Sequence, residues 1–362
     1  MRTRAPRNAP GRAPVAPDVT AISVLDLVPV RSDQTTADAV AATLALARVA
    51  DEVGARRYWV AEHHNMPAVA ATNAPLLMSL IAAATSHVRV GSGGVMLPNH
   101  SPLVVAEQVA LLEAAYPGRV DVGIGRAPGS DPVTSHLLRR GASGDGVDTF
   151  DDDVAALAAL VRPEGVEVRV GSTAYPLRAT PRATSAPQLW LLGSSTYSAQ
   201  LAGRLGLPYV FAHHFAGRGT SEAVALYRST FQPSEELPEP RTIAVANVAV
   251  APTADEARRL VLPQVRTMWR LRSGQQLEAQ ELVEDAESAP LPATADEALA
   301  ALTASWVVGD PASAAAELRD LAGRIGADEV MVAPVAGAVR GTPADASPAR
   351  EQTLRLLADA LA

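Results

Sequence analysis

The chain contains no cysteine and no lysine. Without cysteine there is no disulfide framework, no thiolate nucleophile and no cysteine-bound zinc or iron–sulfur cluster. Without lysine there is no internal Schiff base, no P-loop lysine and no kinase-type lysine. All 31 basic residues are therefore arginine, and the formal charge is −8. A basic stripe is missing too, which disfavours nucleic acid and anionic membranes as partners. No apolar run approaches the roughly 20 residues of a spanning helix. What is present is a 362-residue chain with 48% hydrophobic and 19% charged residues. Such a chain can bury a large core, and its length calls for two domains or one large barrel.

The first stretch, MRTRAPRNAPGRAPVAP, is rich in Arg, Pro and Ala and has no apolar h-region. It reads as a disordered tail over residues 1–19 and not as a secretory signal, so the expected location is the cytoplasm. From there the pattern alternates. Apolar runs at Ile22 to Val28, Arg56 to His64, Val88 to Pro98 and Arg119 to Ile124 predict strands. Segments with helical spacing lie between them, as in a parallel sheet buried on both faces. A looser excursion over 127–187 holds one helix and one hairpin-like piece. Strands are then expected at Leu189 to Gly193, Tyr209 to Phe215, Thr242 to Pro252 and Glu329 to Pro334, with an acidic insertion at 272–304. Eight such strands predict a (β/α)8 TIM barrel with insertions at its C-terminal mouth, the whole of 20–362 forming one domain. An open doubly wound sheet would need a glycine fingerprint after the first strand, and LDLVPVRSD has none.

Barrel enzymes gather their chemistry at the C-terminal ends of the strands. Asp26 ends the first strand, and Glu62, His63 and His64 end the second. Asn99 and His100 follow the third, and Arg126 follows the fourth. Ser194, Ser195 and Ser198 follow the fifth, and His213 and His214 end the sixth. Adjacent histidines on a strand point to opposite faces, so His63 and His64 cannot both hold one ion without distortion. The expectation is no metal, with one of the two imidazoles facing the mouth. The run GSSTYSAQ opens a helix whose free N–H groups and dipole suit a phosphate, with Arg126 as a fixed cation nearby. A plain helix cap explains the same serines equally well. Gly93 and Gly94 mark either a turn or the close approach of something flat.

The strings YWVAEHHNMP, GSGGVMLPNHSPLVVAEQ, PGRVDVGIGRAPGSD and LWLLGSSTYSAQLAGRLGLPYVFAHHF resemble the bacterial-luciferase-like family of flavin-dependent monooxygenases, from about Ile22 to Pro334. The resemblance implies a TIM barrel holding reduced FMN over its strand ends. It implies that Gly93–Gly94 is a non-prolyl cis peptide supporting the flavin ring, and that Arg126 binds the flavin phosphate. Ser194, Ser195, Tyr197 and Ser198 would form the phosphate loop. His63 would be the active-site histidine, and Asp26 stands beside it as a second catalytic candidate. Some luciferase subunits carry a cysteine just before the phosphate arginine. That position is Gly125 here, so light emission is not implied.

The implied reaction uses reduced FMN from a separate flavin reductase, because no dinucleotide fingerprint is present. Dioxygen then forms a flavin hydroperoxide, which oxygenates a small hydrophobic substrate under cover from water. A homodimer is implied as well. Three other readings stay open: a deazaflavin-dependent oxidoreductase on the same barrel, a non-catalytic flavin-binding protein, and a metal-dependent barrel hydrolase.

Overall fold

The computed structural model describes residues 21–139, 148–162, 164–216, 219–234, 236–289, 291, 300 and 303–362. The expected tail at 1–19 and parts of both insertions lie outside them. Among the described residues eleven strands are formed: β1 Ile22–Asp26, β2 Arg57–Val60, β3 Arg89–Met96, β4 Val120–Gly125, β5 Val166–Val170, β6 Thr173–Leu177, β7 Gln188–Gly193, β8 Tyr209–Phe211, β9 Thr242–Val250, β10 Val307–Gly309 and β11 Glu329–Pro334. Eight of them close into a parallel barrel in the order β1-β2-β3-β4-β7-β8-β9-β11, with β11 returning to β1. The expected (β/α)8 barrel is the fold.

The nine-residue β9 is long enough to serve two neighbours along one edge. Its first half pairs with β8 (Tyr209↔Thr242) and its second half with the extra strand β10 (Val307↔Val248). The antiparallel β5–β6 hairpin stands within the 127–187 excursion, as the VEVRVGSTAYPL pattern predicts.

Local signals set the helix boundaries. Thr35 caps the helix Thr36–Glu52, with Asp38 closing a capping box. Asn73 caps Ala74–Ala84, and glycines in the left-handed conformation end Thr196–Leu205 and Pro311–Ile325. Some expected boundaries differ. A short helix, Pro132–Leu138, starts on the Asp131 cap, a second helix in the 127–187 excursion where one was expected. After β9 the chain forms two helices, Ala254–Leu260 and Leu262–Arg272, because Pro263 has no N–H for the ladder. The sixth barrel strand stops at Phe211, and His213–Ala216 is a helical turn.

Side chains alternate between two cores. Ile22, Val24, Val60, Val122 and Ile124 face the helices. Leu25, Trp59, Trp190, Val210, Ile243, Val245, Met331 and Ala333 fill the barrel. Glycine makes this filling possible: a Cβ on Gly93 would lie 2.5 Å from Leu25 Cδ1, and one on Gly91 would collide with the Trp59 indole. Trp59 and Trp190 meet edge to face, with centroids 5.7 Å apart. Beneath them lies an ionic floor. Arg57 bridges Asp121 at 2.6 Å and Glu329 at 2.8 Å, Arg89 reaches Asp121 at 2.6 Å, and Trp59 Nε1 donates to Asp121 at 3.1 Å. Each buried charge in this layer has a partner of opposite sign, the condition under which such burial is tolerated. Among the described residues, no helix is long and apolar enough to cross a membrane.

Candidate functional site

The C-terminal ends of the strands form the mouth. Glu62, two residues past the end of β2 at Val60, is fully buried. Its Oε1 accepts hydrogen bonds from His64 Nε2 at 2.8 Å and His100 Nε2 at 2.7 Å, and its Oε2 accepts the Met96 N–H at 3.3 Å. His64 N–H donates to Gly129 O at 3.0 Å, and Asn99 Nδ2 donates to Pro128 O at 2.8 Å. Glu62 is thus a hub joining the loops that follow β2, β3 and β4. Burial pushes its carboxyl upward. The hydrogen bond and charge of His100, with the bonds from His64 and Met96, outweigh burial and hold it below the ordinary range.

The donor atoms of Glu62, His64 and His100 lie within 4.8 Å of one another, a spacing a metal could use. In the contacts seen here the ionised carboxylate accepts from both Nε2 atoms, and the three side chains form a hydrogen-bond hub.

His63 takes the other face. Its N–H donates to Ala71 O at 2.7 Å, while its buried Nδ1 has no hydrogen-bond partner. Burial lowers its pKa below the ordinary value, Glu62 opposes this, and His64 adds to it. Of the two adjacent histidines, His64 is committed to the hub and His63 is left with an unsatisfied nitrogen. His214, just past β8, also has a buried Nδ1 without a partner. Its pKa is pushed down to about 4, first by burial and then by the charges of His213 and His63.

On the β4–β7 side, the Arg126 guanidinium lies over the Tyr197 ring at 4.1 Å. No carboxylate partner holds it among the described residues. The helix Thr196–Leu205 begins beside it on Ser195, whose side chain makes no capping bond, and Ser194, Ser195 and Tyr197 are exposed. The Tyr197 hydroxyl donates to Asp151, which also pairs with Arg204 at 2.9 Å. The Gly93–Gly94 peptide is cis, and a Cβ on Gly94 would lie 2.8 Å from Gly123 O.

Two sequence-based expectations need correction. Asp26 is not at the mouth. It lies on the helix side of β1 with no exposure, and its carboxylate accepts from Val28 N–H (2.8 Å), Thr43 Oγ1 (2.8 Å), Tyr58 OH (2.6 Å) and Arg350 (2.5 Å). Every lone pair is engaged, so it is a structural anchor between β1 and the helices Thr36–Glu52 and Pro348–Leu361. Ser198 is the second. The helix turns its side chain inward, where Oγ donates to Ser195 O at 3.0 Å and lies 3.3 Å from Tyr209 OH. It is 3% exposed and offers no hydroxyl to the open side of the loop. Conversely, Glu62, His100 and His214 were legible only as polar residues at strand ends. Their connections appear when the loops are brought together.

A family model described as luciferase-like monooxygenase matches residues 20–329. An Escherichia coli K12 relative named luciferase-like monooxygenase is 40% identical over 312 residues, covering 86% of this chain and 90% of its own. The solved structure of apo-MsnO8 is similar at TM-score 0.82 and 34% identity, covering 94% of this chain and 98% of that one. The oxygenating constituent of 3,6-diketocamphane monooxygenase from Pseudomonas putida, a type II Baeyer–Villiger enzyme in complex with FMN, shares the fold. Its TM-score is 0.69 at 18% identity, over 94% of this chain and 98% of that one.

Proposed function

The chain belongs to the luciferase-like monooxygenase family, and from that premise we propose that it is the oxygenase of a two-protein, FMN-dependent system acting on a small hydrophobic organic substrate. The observation that carries this reading is an arginine with no carboxylate partner among the described residues, stacked on Tyr197 beside a helix N-terminus without a side-chain cap. Fixed positive charge and free N–H groups in one place fit the phosphate of FMN. Arg126 would hold that phosphate with the backbone of Ser194 to Ser198 and the exposed hydroxyls of Ser194 and Ser195. Gly93 and Gly94 would let the ring lie close to β3. The unsatisfied Nδ1 of His63 fits a polar atom of the bound flavin or substrate.

Reduced flavin supplies two electrons to dioxygen, so that one oxygen atom enters the substrate and the other leaves as water. The chain's part is to bind, orient and exclude water. His63 can give or take a proton at Nδ1. The P. putida protein is described as an oxygenating constituent, which supports a separate reductase as the source of reduced FMN here. Helices Ala74–Ala84 and Pro102–Ala115 pack together and leave Leu76 (65% exposed), Leu80, Val104 and Leu111 (58%) facing outward. That apolar face supports a homodimer.

The test uses FMN, riboflavin and oxygen uptake. Wild-type protein binds FMN and, supplied with reduced FMN, consumes oxygen and releases hydrogen peroxide when no substrate is present. Arg126→Ala weakens FMN roughly 10- to 100-fold, the size of a lost charge-assisted hydrogen bond. Riboflavin, which has no phosphate, binds both proteins alike. Equal loss of both ligands would refute the phosphate assignment. Tight binding of a reduced deazaflavin, with no oxygen uptake from reduced FMN, would move the chain to hydride transfer.

A further inference from the structure

The β5–β6 hairpin is a sheet of two strands, and only its base rests on the barrel. Val166 and Leu177 pack on the main core, while Val168 (38% exposed), Tyr175 (59%) and Val170 (69%) stand in solvent. The register Val166↔Leu177, Val168↔Tyr175 and Val170↔Thr173 sets all of these on one face. Glu167, Arg169, Ala174 and Pro176 take the other face. Two strands alone are marginal in water, and an apolar face gains from further strands beside it.

Pro176 tells the two edges of this sheet apart. Proline has no N–H, so within a ladder its nitrogen faces away from the neighbouring strand. The outer edge of β6 is blunted in this way. Pro176 lies opposite Glu167. Opposed residues of an antiparallel pair either exchange both backbone bonds or neither, so the backbone of Glu167 also faces outward. Two residues on, that of Arg169 does the same. Among the described residues no strand lies beside this edge of β5, and its sequence, VEVRV, has no proline to block it.

The charges on the open edge complement themselves. Let a second β5 run antiparallel beside the first, related by a two-fold axis at Val168. Glu167 of each copy then meets Arg169 of the other, and the outward N–H and C=O groups of both residues are paired. Val168 meets its own counterpart, and Val166 meets Val170. Two hairpins become one four-stranded sheet with an unbroken apolar face. Sliding the register by two residues sets Glu167 against Glu167, or Arg169 against Arg169, so charge selects a single alignment.

We propose that the outer edge of β5 is a self-association surface, and that its partner is a second copy of this chain paired antiparallel about Val168. These residues are distinct from the helix face of Leu76 and Leu111, and flavin plays no part in the contact.

The experiment exploits the absence of cysteine from the chain, since one introduced thiol has no competitor. Val168→Cys and Val170→Cys are each oxidised gently as full-length protein, and linked pairs are counted on a non-reducing gel. Directly opposed residues lie about 4.5–5.5 Å apart at Cα, within reach of a disulfide. The two copies of position 170 lie roughly 14 Å apart, out of reach. Val168→Cys is therefore expected to link roughly 10-fold faster than Val170→Cys. Random collision would favour position 170, the more exposed of the two. With Val168→Cys in place, Glu167→Arg or Arg169→Glu sets like charges opposite each other and slows linking roughly 10-fold. Glu167→Arg together with Arg169→Glu exchanges the charges, keeps the net charge and restores the rate. Linking at Val170→Cys as fast as at Val168→Cys overturns the two-fold pairing. An exchanged pair no faster than either single charge reversal overturns the charge match. No linked pairs at Val168→Cys overturns the second copy as the partner.

Discussion

Replacing Asp26 with alanine separates an anchor from a catalyst. In the wild type the carboxylate satisfies Tyr58, Thr43, the Val28 N–H and the Arg350 guanidinium, whose side chain is only 9% exposed. Alanine leaves Arg350 charged and buried beside an empty acceptor position, a loss of about 3–5 kcal/mol. For the roughly 320 described residues the unfolding entropy is roughly 0.7 kcal/mol per kelvin, so the melting temperature falls by about 4–7 °C. Differential scanning calorimetry measures this. The double variant Asp26→Ala/Arg350→Met removes both partners and recovers part of the loss, which a double-mutant cycle reads as coupling. Oxygen uptake per folded molecule stays near wild type, because no atom of Asp26 reaches the mouth. An Asp26→Ala protein that melts normally and has lost oxygenation would refute this, and would return Asp26 to the catalytic set.

The same carboxylate makes stability depend on pH. Burial raises the Asp26 pKa, but Arg350 and the hydrogen bonds outweigh it, so the folded value lies below the unfolded one. Its contribution is complete above the unfolded value of about 4 and is lost as pH falls through the lower folded value. Denaturant melts of wild type and Asp26→Asn should therefore converge below about pH 4. A Cβ on Gly193 would fall inside the Ser198 hydroxyl. Gly193→Ala therefore displaces the start of Thr196–Leu205, costs about 1–3 kcal/mol by overpacking, and weakens FMN more than riboflavin in a fluorescence titration. Glu62→Ala strips His64 and His100 of their shared acceptor. It should speed amide exchange in the loops after β2 and β3 and lower oxygen uptake, whereas unchanged exchange would remove Glu62 as their hub.

The barrel was legible because parallel strands covered on both faces are continuous apolar runs. ISVLDLV, VRVGSGGVM and TIAVANVAV announce themselves for that reason. The same property hid Asp26. With Ile22 and Val24 toward the helices and Leu25 toward the axis, both faces of β1 are apolar, so composition does not reveal which face a polar residue shares. Strand alternation did separate His63 from His64, though which of them faced inward needed the loops. Ser198 was misread because all three serines were offered to one phosphate, while the helix that begins at Thr196 turns the third hydroxyl inward. The three-residue β10 has too little sequence to carry a pattern and exists because β9 outruns β8. The Glu62 hub joins residues 38 positions apart, and no local spacing reports such a meeting.

The packed interior governs traffic. Trp59 and Trp190, standing on the Arg57–Asp121–Glu329 layer, stopper the barrel from below. A molecule bound above them leaves by the opening it entered. On the proposed oxygenase reading, flavin and substrate would both approach from above this layer, and the deeper one would leave after the other. In such a vessel the first to enter would be the last to leave.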